Sequence, residues 1–119
     1  MSTREQQRAI LAHQQVNAFT QACDLPAQKK YRSITLKAQP LIRNAGLCQA
    51  LHFIHGKPEF RPLLGHLQQH LEQARVISGP NFLTDLREAD LPLYLRATRE
   101  ALQCLVWQCR MVQSLIEEG

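Results

Sequence analysis

"PLIRNAGLCQALHFIHGKP", residues 40–58, decides how the chain folds. Nearly every position is apolar, yet Arg43 stands near the start and Gly46 interrupts the middle. Leu41, Ile42, Ala45, Leu47, Cys48, Ala50, Leu51, Phe53 and Ile54 leave hardly any polar side. A helix that is apolar all round is a central one. A glycine inside a helix costs about 1 kcal/mol against alanine. Two readings account for it: a neighbouring helix whose backbone approaches closely, or a break at Asn44–Gly46 that turns the chain into a new helix. Either way Gly46 serves the architecture, whereas Arg43 lies at the edge of the run and reaches outward.

Upstream, Pro40 removes a backbone donor, so a kink or restart is expected there. The segment before it, residues 27–38, reads as a helix with Tyr31, Ile34 and Leu36 as its apolar residues and Lys29, Lys30, Arg32 and Lys37 as its basic cluster. Asp24-Leu25-Pro26 ends an earlier helix, because a residue before proline avoids the α region. That earlier helix carries Leu11, Ala12, Val16, Phe19, Ala22 and Cys23 at helical spacing, and Ser2-Thr3-Arg4-Glu5 has the form of a capping box at its start.

Downstream, Gly56 and Pro58 mark a helix end and a new start. Phe60, Leu63, Leu64, Leu67, Leu71 and Ala74 make an apolar stripe over residues 58–77, and Ser78-Gly79-Pro80-Asn81 is a turn. A short helix over residues 82–88 follows. Asp90 caps the last helix, with Pro92 tolerated in its first turn. Leu91, Leu95, Thr98, Leu102, Leu105, Cys109, Val112 and Ile116 fall on one side of it, and Arg96, Arg99, Gln103 and Arg110 on the other. No segment sustains a period of two, and Val, Ile and Thr are sparse. The expected fold is all-α, a single-domain bundle of about five or six helices over residues 1–119.

The N-terminal MSTREQQR lacks the apolar region of a signal peptide, and no apolar run is long enough to span a membrane. A cytoplasmic location with no membrane partner is expected. Cys23, Cys48, Cys104 and Cys109 form no Cys-x-x-Cys pair and sit among apolar neighbours, as small core thiols do in a reducing compartment. The net charge of +4 is unevenly spread. Residues 1–62 carry nine Lys/Arg against three acids (+6), and residues 63–119 carry five against seven (−2). A segregated basic half attracts a polyanion by releasing its counterions; a merely solvated basic face is the alternative.

Catalytic and metal signatures are weak. His66 and His70 lie one turn apart, as do His52 and His55, but no third ligand has an evident spacing. Both pairs read as surface histidines, so no metal or cofactor is expected. Arg8/His13 and Arg61/His66 fit an Arg-x4-His pattern similar to that of the all-helical HEPN ribonucleases, where histidine serves as general acid or base and arginine steadies the phosphate. Ala9 and Pro62 follow the arginines where a polar residue is usual, and no catalytic residue is assigned. There is no Gly-rich phosphate loop, no Gly-x-Ser-x-Gly and no acidic cluster for two-metal chemistry. In Lys29-Lys30-Tyr31-Arg32 the aromatic either stacks on a base or, as is commoner, anchors its helix to the core. Trp107 reads as a core or subunit-contact residue.

Two stretches carry a family resemblance. Pro40-Leu-Ile-Arg-x-x-Gly-Leu-x-Gln-Ala-Leu-x-Phe53 resembles a segment of the small helical subunit of the type III-B CRISPR effector, the Cmr complex. Tyr94-x-Arg96-x-Thr98-Arg99-Glu100-Ala101-Leu102, followed by Trp107, is similar to that family's C-terminal helix signature. After Trp107 this chain continues Gln108-Cys109-Arg110-Met111, where the family often carries a basic pair and a phenylalanine. The resemblance implies a subunit without catalysis. Such subunits stack into a short filament beside the guide-RNA backbone filament, contact the large polymerase-like subunit and help hold the guide–target duplex, while a RAMP-type backbone subunit cleaves the target. The implied partners are those subunits, neighbouring copies of the same chain, guide RNA and target RNA.

The expected RNA-backbone contacts are Lys29, Lys30, Lys37 and Arg43, then Arg4 and Arg8. Arg96 and Arg99 match the family motif, with a pairing of Arg96 to Glu100 one turn on as the alternative. The competing functions are a metal-independent ribonuclease using Arg8/His13 or Arg61/His66, and a protein-only adaptor.

Overall fold

Thr3 opens the first helix. Its hydroxyl accepts from the Gln6 amide at 3.0 Å while the Gln6 side chain accepts from the Thr3 amide at 2.8 Å, a reciprocal box that satisfies two donors left over at a helix start. The computed structural model of the protein describes residues 3–117. The box expected from Ser2 and Glu5 is thus made one residue along, and Ser2 lies outside the described residues. Helix α1 runs Arg4–Ala22. Asp24 then caps α2 by accepting from Ala27 N at 3.0 Å, with Pro26 in the first turn, where its missing N–H was an orphan in any case. Asp-Leu-Pro therefore starts a helix as well as ending one, and α2 begins two residues earlier than expected.

Helix α2 spans Leu25–Ala45 and continues through Pro40 without the restart that was one of two expectations there. The proline is exposed, so the carbonyl it cannot serve lies toward water. Ala38 and Ile42 on the inner face are buried and hold the turn against the core. The break comes at Gly46 instead, at φ +88° and ψ 159°, a region essentially restricted to glycine. A Cβ there would stand 3.5 Å from Tyr94 Oη, an ordinary contact. Backbone conformation, and not crowding by a neighbour, requires the glycine. Tyr94 Oη accepts from Cys48 N at 3.1 Å and so caps α3, Leu47–His55, which has no side-chain cap of its own.

The turn at Gly46 resets the helical phase. Residues that would wrap one continuous helix in apolar groups are divided between two one-sided helices. Leu47, Ala50, Leu51 and Ile54 face inward, but His52, Phe53 and His55 are exposed. The central helix expected here is therefore not α3. A 3₁₀ turn, Pro58–Phe60, leads into α4, Arg61–Gln73. It stops short of residue 77 because Arg75 adopts φ +59°. Arg75 N donates to Glu72 O and Val76 N to Leu71 O, both at 3.0 Å, a left-handed helix end more often built on glycine.

Short α5, Phe82–Arg87, and α6, Leu91–Leu115, complete six α-helices with no strand among the described residues. The Asp90 side chain caps α6 on Leu93 N at 3.0 Å. The central helix is α6, which packs on α1, α2, α4 and α5. Its buried seam is Ala97, Glu100, Ala101, Cys104, Leu105, Gln108 and Val112. Of the stripe expected from sequence, Leu105, Val112 and Ile116 are buried, but Leu91 and Leu95 at its start are 67 % and 53 % exposed. Small residues win the buried side because they let the neighbouring helices approach. The radius of gyration, 13.6 Å, matches the roughly 13.5 Å of a compact chain this long.

All four thiols are free. Cys104 alone is fully buried and the other three are half-buried, so the expectation of core cysteines holds fully at one position. Burial pushes the Cys104 and Cys109 thiols up from their ordinary range, away from the reactive thiolate.

Candidate functional site

The outward face of α2 carries Lys29, Lys30, Lys37 and Arg43. Lys29 is half-buried, the other three are exposed, and none of the four makes an ion pair among the described residues. The inward face is Tyr31, Ile34, Thr35, Ala38 and Ile42. At 100° per residue the four cations spread over the half of the helix opposite those buried groups. The helix itself contains no Asp or Glu. From Lys29 to Arg43 the row is about 21 Å long, at 1.5 Å per residue.

A second group of cations is built differently. Arg4 and Arg8 lie one turn apart on α1, and both reach Glu100 of α6. Arg8 Nε donates to Oε2 at 2.7 Å and its Nη2 to Oε1 at 2.9 Å. Arg8 Nη2 also reaches Gln103 Oε1 at 2.7 Å, and Arg4 Nη2 reaches Glu100 Oε1 at 2.8 Å. The Arg8 and Glu100 side chains are only 14 % and 6 % exposed, against 54 % for Arg4. Burial alone pushes the Glu100 carboxyl up, but the bonds and charge of Arg8, then of Arg4, outweigh it and hold the group below its usual range. The alternative pairing of Arg96 with Glu100 does not occur, because α1 claims the carboxylate. Arg96 and Arg99 are exposed and, with Arg4, Arg8, Glu100 and Gln103, line a cleft of about 240 Å³.

The histidines depart most from expectation. His70 is 1 % exposed and His66 is half-buried, so this pair is not on the surface. Gln108 of α6 donates to Tyr31 Oη at 2.9 Å. The buried Tyr31 hydroxyl has His66 Nδ1 as the acceptor for its own proton, and His70 Nε2 donates to Gln108 Oε1 at 2.9 Å. Accepting on Nδ1 makes His66 neutral with its proton on Nε2, and donating to Gln108 puts a proton on His70 Nε2. Burial, with the nearby His70 adding to it, pushes His66 down to about 4; burial likewise lowers His70, against its bond to Gln108. Tyr31 is fully buried, which settles its role as an anchor and removes it as a base-stacking platform. Among the described residues no group of three or more His, Cys, Asp or Glu is placed to hold a metal ion.

Neither Arg–His pair converges. Arg8 is held by Glu100, while exposed His13 lies five residues on, about 140° around α1. Arg61 Nε donates to His55 O at 2.8 Å in a hollow near α5, while His66 faces Tyr31. Trp107 is half-buried.

His66 borders an open groove of about 650 Å³ between α1 and α4, lined also by Leu11, Gln14, Gln15, Ala18, Phe19, Ala22, Gln69 and Gln73. Gln15 is 6 % exposed, and its amide nitrogen donates to His66 O at 3.1 Å and Gln69 Oε1 at 2.7 Å. Its carbonyl oxygen has no donor among the described residues, which costs about 1–3 kcal/mol while it stays so. Glu100, Gln108 and this groove escaped sequence reasoning. The available signal was Ala97, Ala101 and Cys104, whose small side chains mark the true seam and so place positions 100 and 108 inside.

Fold and site together define a small, all-helical, cation-bearing protein in which Arg8 and Glu100, and Tyr31, His66, His70 and Gln108, bond one helix to another. A family model described as CRISPR-associated protein (Cas_Cmr5) matches residues 4–115. The CRISPR system Cmr subunit Cmr5 of Thermus thermophilus is 39 % identical over 124 aligned positions, covering 99 % of this chain and 100 % of that one. The crystal structure of a CRISPR-associated Cmr5 family protein from Thermus thermophilus superposes with a TM-score of 0.79 at 34 % identity, over 98 % of this chain and 100 % of the other. The chain belongs to the Cmr5 family, the small subunits of type III-B Cmr complexes.

Proposed function

We propose that the protein is a non-catalytic subunit that supports a guide–target RNA duplex through contacts with the sugar–phosphate backbone, within a filament of its own copies, in cytoplasmic antiviral defence. The observation that carries this is the outward face of α2. Its four cations have no internal anion and lie on the side of the helix away from the core, whereas Arg8 is held by Glu100. Such a row neutralises phosphates without reading bases. Arg96 and Arg99 at the rim of the α1–α6 cleft, with Arg4 beside them, form a second basic area that serves the same backbone; Arg8 acts there by holding Glu100. Exposed Leu91 and Leu95 offer apolar area to the large polymerase-like subunit, the RAMP backbone subunit or a neighbouring copy. The divergence of Arg8 from His13 and of Arg61 from His66 argues against the ribonuclease reading.

The test is a filter-binding titration of the triple Lys29→Glu, Lys30→Glu, Lys37→Glu variant against single-stranded and duplex RNA over a range of salt. The expected result is weaker binding and a shallower salt slope, by about 0.7 per lost phosphate contact on a single strand, with circular dichroism unchanged. Affinity and slope equal to the unaltered protein would leave the α2 face without a role in RNA binding.

A further inference from the structure

We propose that the groove between α1 and α4 takes one unpaired nucleobase. The proposal rests on the backbone reading above and adds to it the fate of a base. The groove's lining contains no charged side chain. Four glutamines and His66 supply its polar groups, and His66 is neutral because its Nδ1 accepts from Tyr31. Nothing there would attract a phosphate. A base edge, which carries donors and acceptors but no charge, fits such amides in the way Gln meets adenine.

Phe19 supplies the stacking surface. One side of its ring lies on Tyr31, with centroids 4.6 Å apart and planes at 29°. His66 meets it edge-on at 6.4 Å. Phe19 also lines the groove, and Tyr31 stacks on one side of its ring, so a base stacking on the other side would extend the Tyr31–Phe19 stack. Around it, Gln69 Oε1 is engaged by Gln15, which leaves the Gln69 amide hydrogens for a ligand. Gln15 itself holds a buried carbonyl oxygen without a donor. Gln14 and Gln73 stand exposed at the rim.

Position links the groove to the cations. Its end at Ala22 lies at the α1–α2 corner, where Gln28 Nε2 donates to Thr20 O at 3.0 Å and Cys23 O at 2.8 Å. Lys29 and Lys30 follow at once on α2. A strand whose phosphates meet Lys29 and Lys30 would round this corner to turn one base into the groove. A helix of another protein is a poorer fit, because it would have to match four amides with side chains of its own.

Two strands test this, an octauridylate with 2-aminopurine at its centre and the same octauridylate with an abasic site there. Both are titrated against the full chain. The expected results are strong quenching of the 2-aminopurine and roughly tenfold weaker binding of the abasic strand. Phe19→Leu, which keeps apolar volume, removes the quenching and leaves the salt slope unchanged. Gln69→Glu, an exposed substitution that puts a charge into the groove, weakens binding of the 2-aminopurine strand and leaves the abasic strand unaffected. Unquenched fluorescence with equal affinity for the two strands overturns the groove while the backbone reading stands. If the protein binds neither strand, the backbone reading fails, and the groove is judged by free 2-aminopurine riboside at millimolar concentration. A shift of the His66 ring protons, absent in Phe19→Leu, is then the supporting result, and no shift overturns it. The same shift produced by raising protein concentration alone would seat a second copy in the groove and also overturn it.

Discussion

The outward face of α2 and the buried seam of α6 both carry polar groups, but on opposite terms. Along α2, Lys29, Lys30, Lys37 and Arg43 have no anion among the described residues and their charges point away from the core. Along α6, Glu100 and Gln108 are inside, and each is held by groups from other helices: Glu100 by Arg8 and Arg4, Gln108 by Tyr31 and His70. Charge that is paired inside specifies how helices dock. Charge left unpaired outside is available to something else. The first kind is lost at a cost in stability; the second should be lost at none.

The sharpest way to break this contrast is Glu100→Gln. The change keeps size and shape but leaves the Arg8 guanidinium, which is 14 % exposed, without its anion. Removing one partner from a buried pair costs about 3 kcal/mol, read as a drop in the urea midpoint. Because replacing both partners by apolar groups is often neutral, the Arg8→Met, Glu100→Met double variant should recover most of that loss. A cost under about 1 kcal/mol for Glu100→Gln would put the pair in the class of exposed ion pairs and erase the difference between seam and face.

Acid sharpens the contrast next. An unfolded histidine takes up a proton near 6.5, whereas folded His66 does so only at about 4. As the pH falls through that window the unfolded chain binds a proton that the folded chain refuses, so stability declines; above 6.5 the effect is absent. At the bottom of the window His66 alone accounts for about 3 kcal/mol. His70, lowered in the same sense, adds to it. The depressed Glu100 carboxyl acts lower down: its contribution is complete above its ordinary value of 4.5 and disappears as the pH falls through the folded value. Melting temperatures measured from pH 7 to 4 should fall, and His66→Gln should flatten the curve. Glu100→Gln should leave this window in place and remove only the further loss below it. A flat profile in the unaltered protein would mean that the imidazoles are solvated, as the sequence had suggested.

That misreading of the histidines shows where sequence stops being informative. The helical class was legible because periodic apolar residues, Asp90 as a cap and the Ser78–Asn81 turn all act locally. The α2 face was legible for the same reason, since Lys29, Lys30, Lys37 and Arg43 share one helix without an acid. The seam was not. Whether Glu100 faces water depends on whether α1 brings Arg8 to it, a pairing 92 residues apart. His66 and His70 are buried because Tyr31 and Gln108 arrive from two other helices. Leucines drew the expected stripe of α6 onto Leu91 and Leu95, although close helix packing favoured Ala97 and Ala101. At Pro40 tertiary packing overrode a strong local breaker, and at Arg75 a non-glycine residue took a left-handed conformation that no sequence rule would assign to it.

The smallest effect belongs to the α2 face itself. Lys37→Ala removes an exposed cation that has no internal partner, and alanine is at least as good a helix former. The expected change in stability is within about 0.5 kcal/mol. The Lys29→Ala, Lys30→Ala, Lys37→Ala variant should be neutral or slightly more stable, because three like charges leave a chain of net charge +4. Any such gain should shrink as added salt screens the surface. A loss of more than about 1 kcal/mol at low salt would show these lysines to be part of the internal scaffold. In that event weaker RNA binding by the charge-reversed variant would no longer report on phosphate contacts, and the two regions would differ only in how visible their partners are.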